Sequence, residues 1–318
     1  MPIDLDKIPN HLKEAVASGN LVPFIGAGVS KQAKTKGPKR LPLWTEFMDE
    51  LTGLARDQGL PEEIEQQIVQ LLKERQFLMA AQELKSRIRE DELERYIQTR
   101  FVYIGAEPAP IHYALLRLKP DIIMTTNYDV LLEAAYTKAV GGVVQPITPQ
   151  RSHIVQQVLK GYQEWTKPLI FKIHGSATEP ETVVFAEQDY RDLIYGRPGY
   201  RAVLSAVFVT KVVLMLGFSN SDPEIAMVLQ TLREGFRKRS SPDYIVIRKG
   251  TKGSVEKERL SRDFGLEVLE YEPSKGDTEL LELVEYLAKF VPGAAKPRVK
   301  GTRKRSPAVS RGKVETSR

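Results

Sequence analysis

Apolar residues along the chain form two patterns, short continuous runs and longer stretches with helical spacing. The short runs predict buried strands and the spaced ones predict amphipathic helices. Alternation of the two is typical of an α/β fold, a parallel sheet with helices on both faces. A further helix is predicted from Asp222 onward, because Pro223 suits a first helical position and apolar residues then recur on one face. The predicted strands cover 21–25, 121–125, 143–147, 168–173, 211–216, 243–248 and 266–271.

The interval 45–118 breaks this alternation, because it contains no good strand and several amphipathic runs. We therefore predict a helical insertion, or a small second domain, at 45–118, placed between the first and second strands of the domain that covers residues 1–293. No internal repeat is visible. The apolar positions with helical spacing include Ile64, Ile68, Leu71, Leu72, Leu84 and Ile88.

The net charge of +6 is concentrated at one end of the sequence. Residues 294–318 hold nine Lys or Arg and a single acid, so this stretch carries +8, while residues 1–293 hold 38 basic and 40 acidic groups. The basic stretch is almost free of apolar residues and cannot bury enough surface to order itself. We predict a disordered tail, which is either a solvated charge run or a weak electrostatic contact with nucleic acid or an acidic partner.

Composition excludes several kinds of site. The chain has no cysteine, so disulfides, thiolate zinc sites and a cysteine nucleophile are absent, and four histidines leave little material for a metal centre. No metal is expected. No apolar run approaches the length of a membrane span, and the first residues are amphipathic and acidic, so we expect a cytoplasmic protein with no membrane contact.

Four predicted strands end on glycine or polar residues. The first ends on Gly26-Ala27-Gly28-Val29-Ser30, and the second on 125–129, TTNYD. The others end on 174–176, HGS, and 217–222, GFSNSD. Because ligands in open α/β sheets bind at the carboxyl ends of strands, these four segments predict one ligand crevice.

Each segment also has a purely structural interpretation. The glycine turn could be only a tight turn, since Lys31 stands where a full dinucleotide fingerprint needs a third glycine. Asn127 and Asp129 could cap a helix, and His174 could be a hydrogen-bonded core histidine. Residues 219–222 could likewise serve only as a helix cap.

Taken together and in this order, the segments resemble the sirtuin (silent information regulator 2) family over most of residues 20–248. GAGVS matches the family's phosphate loop, TTNYD its threonine-x-asparagine-x-aspartate, KIHGS its histidine-glycine and GFSNSDP its later glycine-x-serine. The tyrosine in TTNYD and the LPLW at 41–44 are closer to the sirtuin-like proteins of bacterial antiviral defence than to protein deacetylases. The resemblance implies a Rossmann-like fold that binds NAD.

The resemblance also implies roles for individual residues, and it gives NAD as a substrate rather than a bound cofactor. Asn127 would orient the nicotinamide-side ribose or the attacking water, Asp129 would bond ribose hydroxyls or support Asn127, and His174 would be the general base. Nicotinamide is already a cationic leaving group, so the site must mainly stabilise an oxocarbenium-like ribose. His11, His112 and His153 are expected to be surface or packing residues. The expected NAD-binding residues are Gly26, Ala27, Gly28, Ser30, Thr126, Gly217 and Ser219.

Departures from the classical deacylases favour water as the acceptor. The cysteine-ligated zinc module is absent, and "KQAKTKGPKRLPLW" replaces the family's isoleucine-proline-aspartate-phenylalanine-arginine stretch. The expected reaction is NAD hydrolysis to nicotinamide and ADP-ribose or its cyclic form, as an abortive-infection effector. A protein deacylase, a non-catalytic NAD or ADP-ribose sensor and a nucleic-acid-binding module stay open as alternatives.

A constitutive NAD hydrolase would kill its own cell, so its activity must be gated. Gating would come from assembly into a homo-oligomer, from a phage component or from a partner protein such as a ring-forming ATPase or a short Argonaute.

Overall fold

The computed structural model describes residues 3–159, 168–218, 242–274 and 277–293. Ser219, the helix predicted from Asp222 and the basic stretch 294–318 lie outside these residues. Within them, no helix is both long enough and apolar enough to cross a bilayer.

The centre of the molecule is a six-stranded, fully parallel sheet with strand order β3-β2-β1-β4-β5-β6. Phe24 pairs with Met124 on one side and with Met215 on the other, so β1 lies in the middle. This doubly wound arrangement confirms the predicted α/β, Rossmann-like fold. The strands are β1 Leu21–Ile25, β2 Ile122–Thr125, β3 Leu169–Lys172, β4 Val212–Leu216, β5 Asp243–Arg248 and β6 Leu266–Tyr271.

The strand predicted at 143–147 is wrong. Only Ile147 pairs with the sheet, through an isolated parallel bridge to Phe171 of β3. Pro146 has no amide hydrogen to donate to a neighbouring strand, and Val143 is 87% exposed. The apolar run therefore neither pairs with the sheet nor is buried along its whole length. The segment therefore crosses the edge of β3 instead of extending the sheet.

Helices cover both faces of the sheet and fill the interval between β1 and β2. Among the described residues, 3₁₀ turns occur at Leu5–Lys7, Pro149–Arg151 and Pro180–Thr182. The helices before β2 are α1 Asn10–Ala17, α2 Ala27–Ser30, α3 Trp44–Asp57, α4 Glu62–Lys73, α5 Phe77–Lys85, α6 Glu90–Phe101 and α7 Pro110–Arg117. Those after β2 are α8 Leu131–Val140, α9 His153–Leu159, α10 Glu187–Gly196, α11 Pro198–Thr210, α12 Ser254–Phe264 and α13 Thr278–Ala288.

Each face of the sheet has its own apolar core. Ile25 packs on one face with residues of α1, α7 and α13, such as Leu12 and Leu283. Phe24 packs on the opposite face with residues of α10 and α11, such as Leu204. Because β1 is buried on both faces, it reads as a continuous apolar run, as expected for a central parallel strand.

A third apolar core joins the helices of the 44–101 interval to the carboxyl edge of the sheet. Phe47 of α3 and Phe101 of α6 pack against Tyr128, with ring centroids 6.2 and 5.4 Å away. Phe185 lies 5.5 Å from Phe47 on the other side. The interval therefore stands against the end of the sheet where the polar segments occur. The predicted division into domains stays a prediction.

Candidate functional site

The glycine turn after β1 lies against the end of β4, at the point where the strand order reverses. The Gly26 amide donates to the Leu216 carbonyl over 2.9 Å, and the Gly28 amide donates to the Gly217 carbonyl over 2.8 Å. This reversal, between β1 and β4, is where doubly wound sheets open a crevice for ligands. Two of the four predicted strand-end segments therefore meet at this crevice.

Close backbone approach explains the glycines here. A Cβ on Gly28 would lie 2.7 Å from the Gly217 carbonyl oxygen, and a Cβ on Gly217 would lie 2.6 Å from the amide nitrogen of Val29. Gly217 also has a φ of +74°, which side chains other than glycine rarely adopt. The segments after β1 and β4 can therefore approach this closely only because positions 28 and 217 are both glycine.

The amides of this turn differ in their availability. Those of Gly26, Gly28 and Val29 all donate to backbone carbonyls. The Ala27 amide has no carbonyl partner among the described residues. The assignment of the turn to a pyrophosphate stays a prediction, and Ala27 is its best-placed donor.

Three predicted residues form one hydrogen-bonded chain across the ends of β1 and β2. The Asn127 amide nitrogen donates to Ser30 Oγ over 2.8 Å and to the Gly26 carbonyl over 3.1 Å. Ser30 Oγ donates to Asp129 Oδ2 over 2.6 Å. Ser30 and Asp129 are buried, while Asn127 is partly exposed. The chain thus ends on the residue that a ligand can reach.

These hydrogen bonds determine which way the Asn127 amide faces. The Gly26 carbonyl can only accept, and the single proton of Ser30 is used by Asp129, so both of these partners require the NH₂ side of Asn127. Its carbonyl oxygen Oδ1 is therefore the group left for a ligand. Asp129 Oδ1 also accepts from the Leu131 amide over 3.0 Å at the start of α8, although Val130 and not Asp129 is the N-cap residue of that helix.

Buried polar contacts with Thr125 and Lys172 hold the TTNYD segment in place. Thr125 Oγ1 donates to the Ile25 carbonyl over 3.0 Å and accepts from the Asn127 amide over 2.9 Å. Lys172, at the end of β3, is 1% exposed and donates to the carbonyls of Tyr128 and Asp129. Its charge is paired with Glu133 at 2.6 Å. Sequence reasoning missed Lys172, because its pairing with Glu133 arises only in the folded structure.

A pocket with one polar and one apolar wall opens above these residues. Its polar wall consists of Ser30, Thr126, Asn127 and Asp129. Thr126 is buried, and its amide donates to the Ile25 carbonyl over 3.2 Å. The apolar wall comes from the segment before α3 and from the helical interval, through Leu41, Pro42, Leu43, Trp44, Phe47 and Phe101. An apolar wall opposite directed polar groups is typical of small-molecule sites.

A larger cavity of about 320 Å³ adjoins this pocket through Ala27, Leu43 and Trp44. It extends past Gly28 and Gly217 to the carboxyl end of β5, where Arg248 lies. The two spaces together run along the switch point from β2 to β5. An elongated ligand with a polar middle suits this shape.

His174 lies beside the site but outside the two cavity linings. The residue before it, Ile173, donates its amide to the Thr125 carbonyl over 2.9 Å, so His174 follows β3 next to the end of β2. Its ring is 1% exposed and packs edge-on against Tyr190, with centroids 5.1 Å apart. Its assignment as general base stays a prediction.

The other histidines have different surroundings. His11 Nδ1 lies 3.3 Å from the Tyr244 hydroxyl, and His153 is exposed. His112 is buried, and its Nδ1 accepts the Ala109 amide over 3.1 Å at the start of α7. Burial lowers the pKa of His112, and the nearby charge of Asp129 opposes that shift. Among the described residues, no group of three His, Asp or Glu side chains could hold a metal ion.

Arg100 of α6 supports the apolar wall. It is 7% exposed, its Nε donates to Glu50 Oε2 over 2.6 Å, and its Nη2 donates to the Arg40 carbonyl over 2.9 Å. Burial raises the pKa of Glu50, but the hydrogen bonds from Arg100 and Tyr96 outweigh it and leave that pKa below its usual value. Arg100 thereby anchors the segment that continues into Leu41 and Leu43 of the pocket.

Comparison with known proteins finds similarity to SIR2-like proteins. A family model described as a SIR2-like domain matches residues 121–269. An NAD(+) hydrolase ThsA from Acinetobacter baumannii is 28% identical over 247 residues, which are 78% of this chain and 45% of that protein. An NAD(+) hydrolase ThsA from Enterococcus faecium is 26% identical over 260 residues, 78% of this chain and 47% of that protein.

Defense-associated sirtuin 2 from Bacillus subtilis is 23% identical over 227 residues, 70% of this chain and 20% of that protein. The chain therefore spans about half the length of the ThsA relatives named above and a fifth of this one. Three of the four strand-end motifs, TTNYD, KIHGS and GFSNSDP, fall inside the matched residues 121–269. The chain is therefore similar to SIR2-like and sirtuin-like proteins, in agreement with the resemblance of its motifs.

Proposed function

We propose that this protein is an NAD+ hydrolase that cleaves NAD+ to nicotinamide and ADP-ribose and acts in bacterial antiviral defence. The observation that carries the proposal is the orientation of the Asn127 amide. Two hydrogen bonds from its nitrogen fix the side chain, so its Oδ1 is left for a ligand at the switch point of the sheet. Support also comes from the relatives, two of which are named NAD(+) hydrolases.

The proposed site divides the dinucleotide along the crevice. The pocket above Asn127 would take the nicotinamide and its ribose, the turn at Ala27 would face the pyrophosphate, and the 320 Å³ cavity would take the adenosine. Ser219, which the resemblance gives as an NAD-binding residue, lies outside the described residues.

Catalysis would need little more than orientation. Asn127 Oδ1 would accept a hydrogen bond from the attacking water or from a ribose hydroxyl. The Ser30–Asp129 pair would keep the Asn127 amide from rotating. His174 would take the proton released by water. The apolar wall around Trp44 and Phe47 would exclude bulk water and suit the departing nicotinamide ring.

Replacement of Asn127 and of His174 tests the proposal. Asn127→Ala and His174→Ala should each abolish NAD+ loss, measured by release of nicotinamide, while circular dichroism and melting temperature show an intact fold. His153→Ala and Asn20→Ala are matched controls, because both side chains are exposed and outside the pocket. Wild-type rates in either site variant would contradict the assignment.

The alternatives predict different results in the same assay. A protein deacylase would turn over an acetylated peptide in an NAD-dependent way, and a non-catalytic sensor would bind ADP-ribose and leave NAD+ intact in every assembly state. The apolar wall fills the region next to the nicotinamide end with Leu41, Trp44 and Phe47, which favours a closed hydrolase pocket over a peptide groove.

Regulation, location and partners belong to the same proposal. We expect a cytoplasmic abortive-infection effector that becomes active on assembly into a homo-oligomer or on contact with a partner protein. Specific activity should then rise with protein concentration, in step with the mass measured by light scattering. Equal specific activity from a monomer at every dilution would contradict gating by assembly.

The basic stretch 294–318 would make the weak contact with nucleic acid. Its removal should leave melting temperature and NAD+ turnover nearly unchanged and should abolish salt-sensitive DNA binding. A large fall in melting temperature would contradict a disordered tail.

A further inference from the structure

A charged corner lies at the far end of the 320 Å³ cavity. Lys31, Arg248 and Asp277 line both this cavity and a neighbouring one of about 210 Å³, so the two spaces meet at these three residues. Arg248 is the last residue of β5, and Lys31 directly follows the turn after β1. The corner therefore belongs to the end of the crevice that the adenosine would occupy.

The carboxylate of Asp277 at this corner already has hydrogen-bond partners. Asp277 is buried, and its Oδ1 accepts from Arg248 Nε over 2.9 Å and from the Tyr271 hydroxyl over 3.1 Å. Arg248 Nη2 donates to the other oxygen, Oδ2. The bidentate pair raises the pKa of Arg248 and neutralises the carboxylate. Asp277 is therefore poorly available to accept a ribose hydroxyl.

Lys31 is the cation left over. Its side chain is partly buried, and none of the ion pairs between described residues includes it. Since Arg248 and Asp277 cancel, Lys31 supplies the uncompensated charge among the described residues that line the corner. A polar cavity wall with one uncompensated ammonium favours an anionic ligand group.

The position of this charge has a chemical meaning in dinucleotide sites. An acid that is free to bond the adenosine ribose selects the unphosphorylated 2′-hydroxyl, whereas a cation nearby accommodates a 2′-phosphate. Here the acid is occupied and a lysine lines the same space. The arrangement is thus the one that tolerates phosphate.

We propose that the site also accepts NADP+, with Lys31 as the partner of its 2′-phosphate. The inference rests on the proposed function, which it extends to a second substrate. In the reaction, the bond between the ribose C1′ and the nicotinamide nitrogen breaks, the oxygen of water joins C1′, and one proton is released. Neutral nicotinamide leaves, and the 2′-phosphate stays on the product, 2′-phospho-ADP-ribose.

Binding of the two products tests the inference without turnover. Calorimetry with ADP-ribose and with 2′-phospho-ADP-ribose should show tighter binding of the phosphorylated product by the wild-type chain. Lys31→Gln should reduce that preference about tenfold, because a charge-assisted contact to the phosphate is lost. Lys31→Arg should retain the preference, and Lys31→Glu should reverse it.

Lys34→Gln is the matched control, since Lys34 is an exposed lysine three residues away and outside both cavities. The ratio of kcat/KM for NADP+ to that for NAD+ should change in parallel with the binding preference. Equal binding of both products by the wild type, or equal losses for both in Lys31→Gln, would overturn the inference. A phosphate preference without cleavage of either dinucleotide would support Lys31 and overturn the hydrolase proposal instead.

Discussion

The hydroxyl of Ser30 donates to Oδ2 of Asp129 over 2.6 Å, although the two residues lie 99 positions apart in the chain. Through this bond the turn after β1 is joined to the segment after β2. Because the Ser30 proton is used in this way, its oxygen is free only to accept, and it accepts from Asn127. The pair thereby sets the orientation of the amide that we propose to act on NAD+.

Ser30→Ala should lower kcat for NAD+ by about 10- to 100-fold, because the Asn127 amide loses the Ser30 oxygen that accepts its hydrogen bond and can then rotate. KM should change less, since no atom of Ser30 needs to touch the reacting bond. Steady-state nicotinamide release would measure both. Ser18→Ala is the control, as its hydroxyl only donates to the Ala15 carbonyl at the end of α1. An unchanged kcat in Ser30→Ala would remove the orienting role.

Gly28→Ala should destabilise the fold by about 1–3 kcal/mol, because the new methyl would lie 2.7 Å from the Gly217 carbonyl oxygen and force β1 and β4 apart. Nicotinamide release should be lost with it. Gly53→Ala is a control that should change stability in the opposite direction. Gly53 lies inside α3 with nothing within 4 Å of a new Cβ, so alanine should stabilise by about 0.5–1 kcal/mol. Chemical denaturation of both variants checks the pair, and equal stabilities would contradict the close-approach argument.

The sheet and the convergence of the strand ends follow from the sequence, because continuous apolar runs and glycine turns are local signals. The strand at 143–147 shows the limit of such signals, since the run is apolar but Pro146 and an exposed Val143 leave it outside the ladder. The apolar wall was not predictable, because Trp44 and Phe47 reach the site only through tertiary packing. Lys172 was missed for a similar reason, as nothing near it in the chain reveals its pairing with Glu133.

Arg100→Met should cost about 1.5 kcal/mol of unfolding free energy, because the partly buried Glu50 loses its charge-assisted hydrogen bonds from Arg100. The segment at Arg40 would also lose its anchor, so KM for NAD+ should rise through movement of Leu41 and Leu43. Adding Glu50→Gln to Arg100→Met should recover part of the stability, since the unpaired charge is then gone. A double variant less stable than Arg100→Met would contradict this account of the pair.

The Glu50 carboxyl also predicts an acid-dependent component of stability. Its pKa is lowered in the folded state, so its contribution is complete above its usual pKa of 4.5 and is lost as the pH falls further. Melting temperatures of the wild type and Glu50→Gln between pH 7 and pH 3 would separate this component. The two curves should converge toward low pH, and a constant difference would contradict the lowered pKa.

His112 predicts a second pH dependence, in a higher range. Burial lowers its pKa in the folded state, whereas an unfolded histidine protonates near its usual pKa of 6.5. Below that pH the unfolded chain binds a proton that the folded chain refuses, so stability falls by at most about 1.4 kcal/mol per pH unit. Above pH 6.5 the contribution is complete and constant.

His112→Gln separates this titration from the packing of the ring. The glutamine oxygen can still accept the Ala109 amide at the start of α7, and glutamine has no proton to gain in this range. The melting temperature of the wild type should therefore fall more steeply between pH 7.5 and pH 5.5 than that of His112→Gln. His153→Gln is the matched control, because it replaces an exposed histidine instead of a buried one. Parallel profiles for the wild type and His112→Gln would show that the buried ring takes up its proton as easily in the folded chain as in the unfolded one.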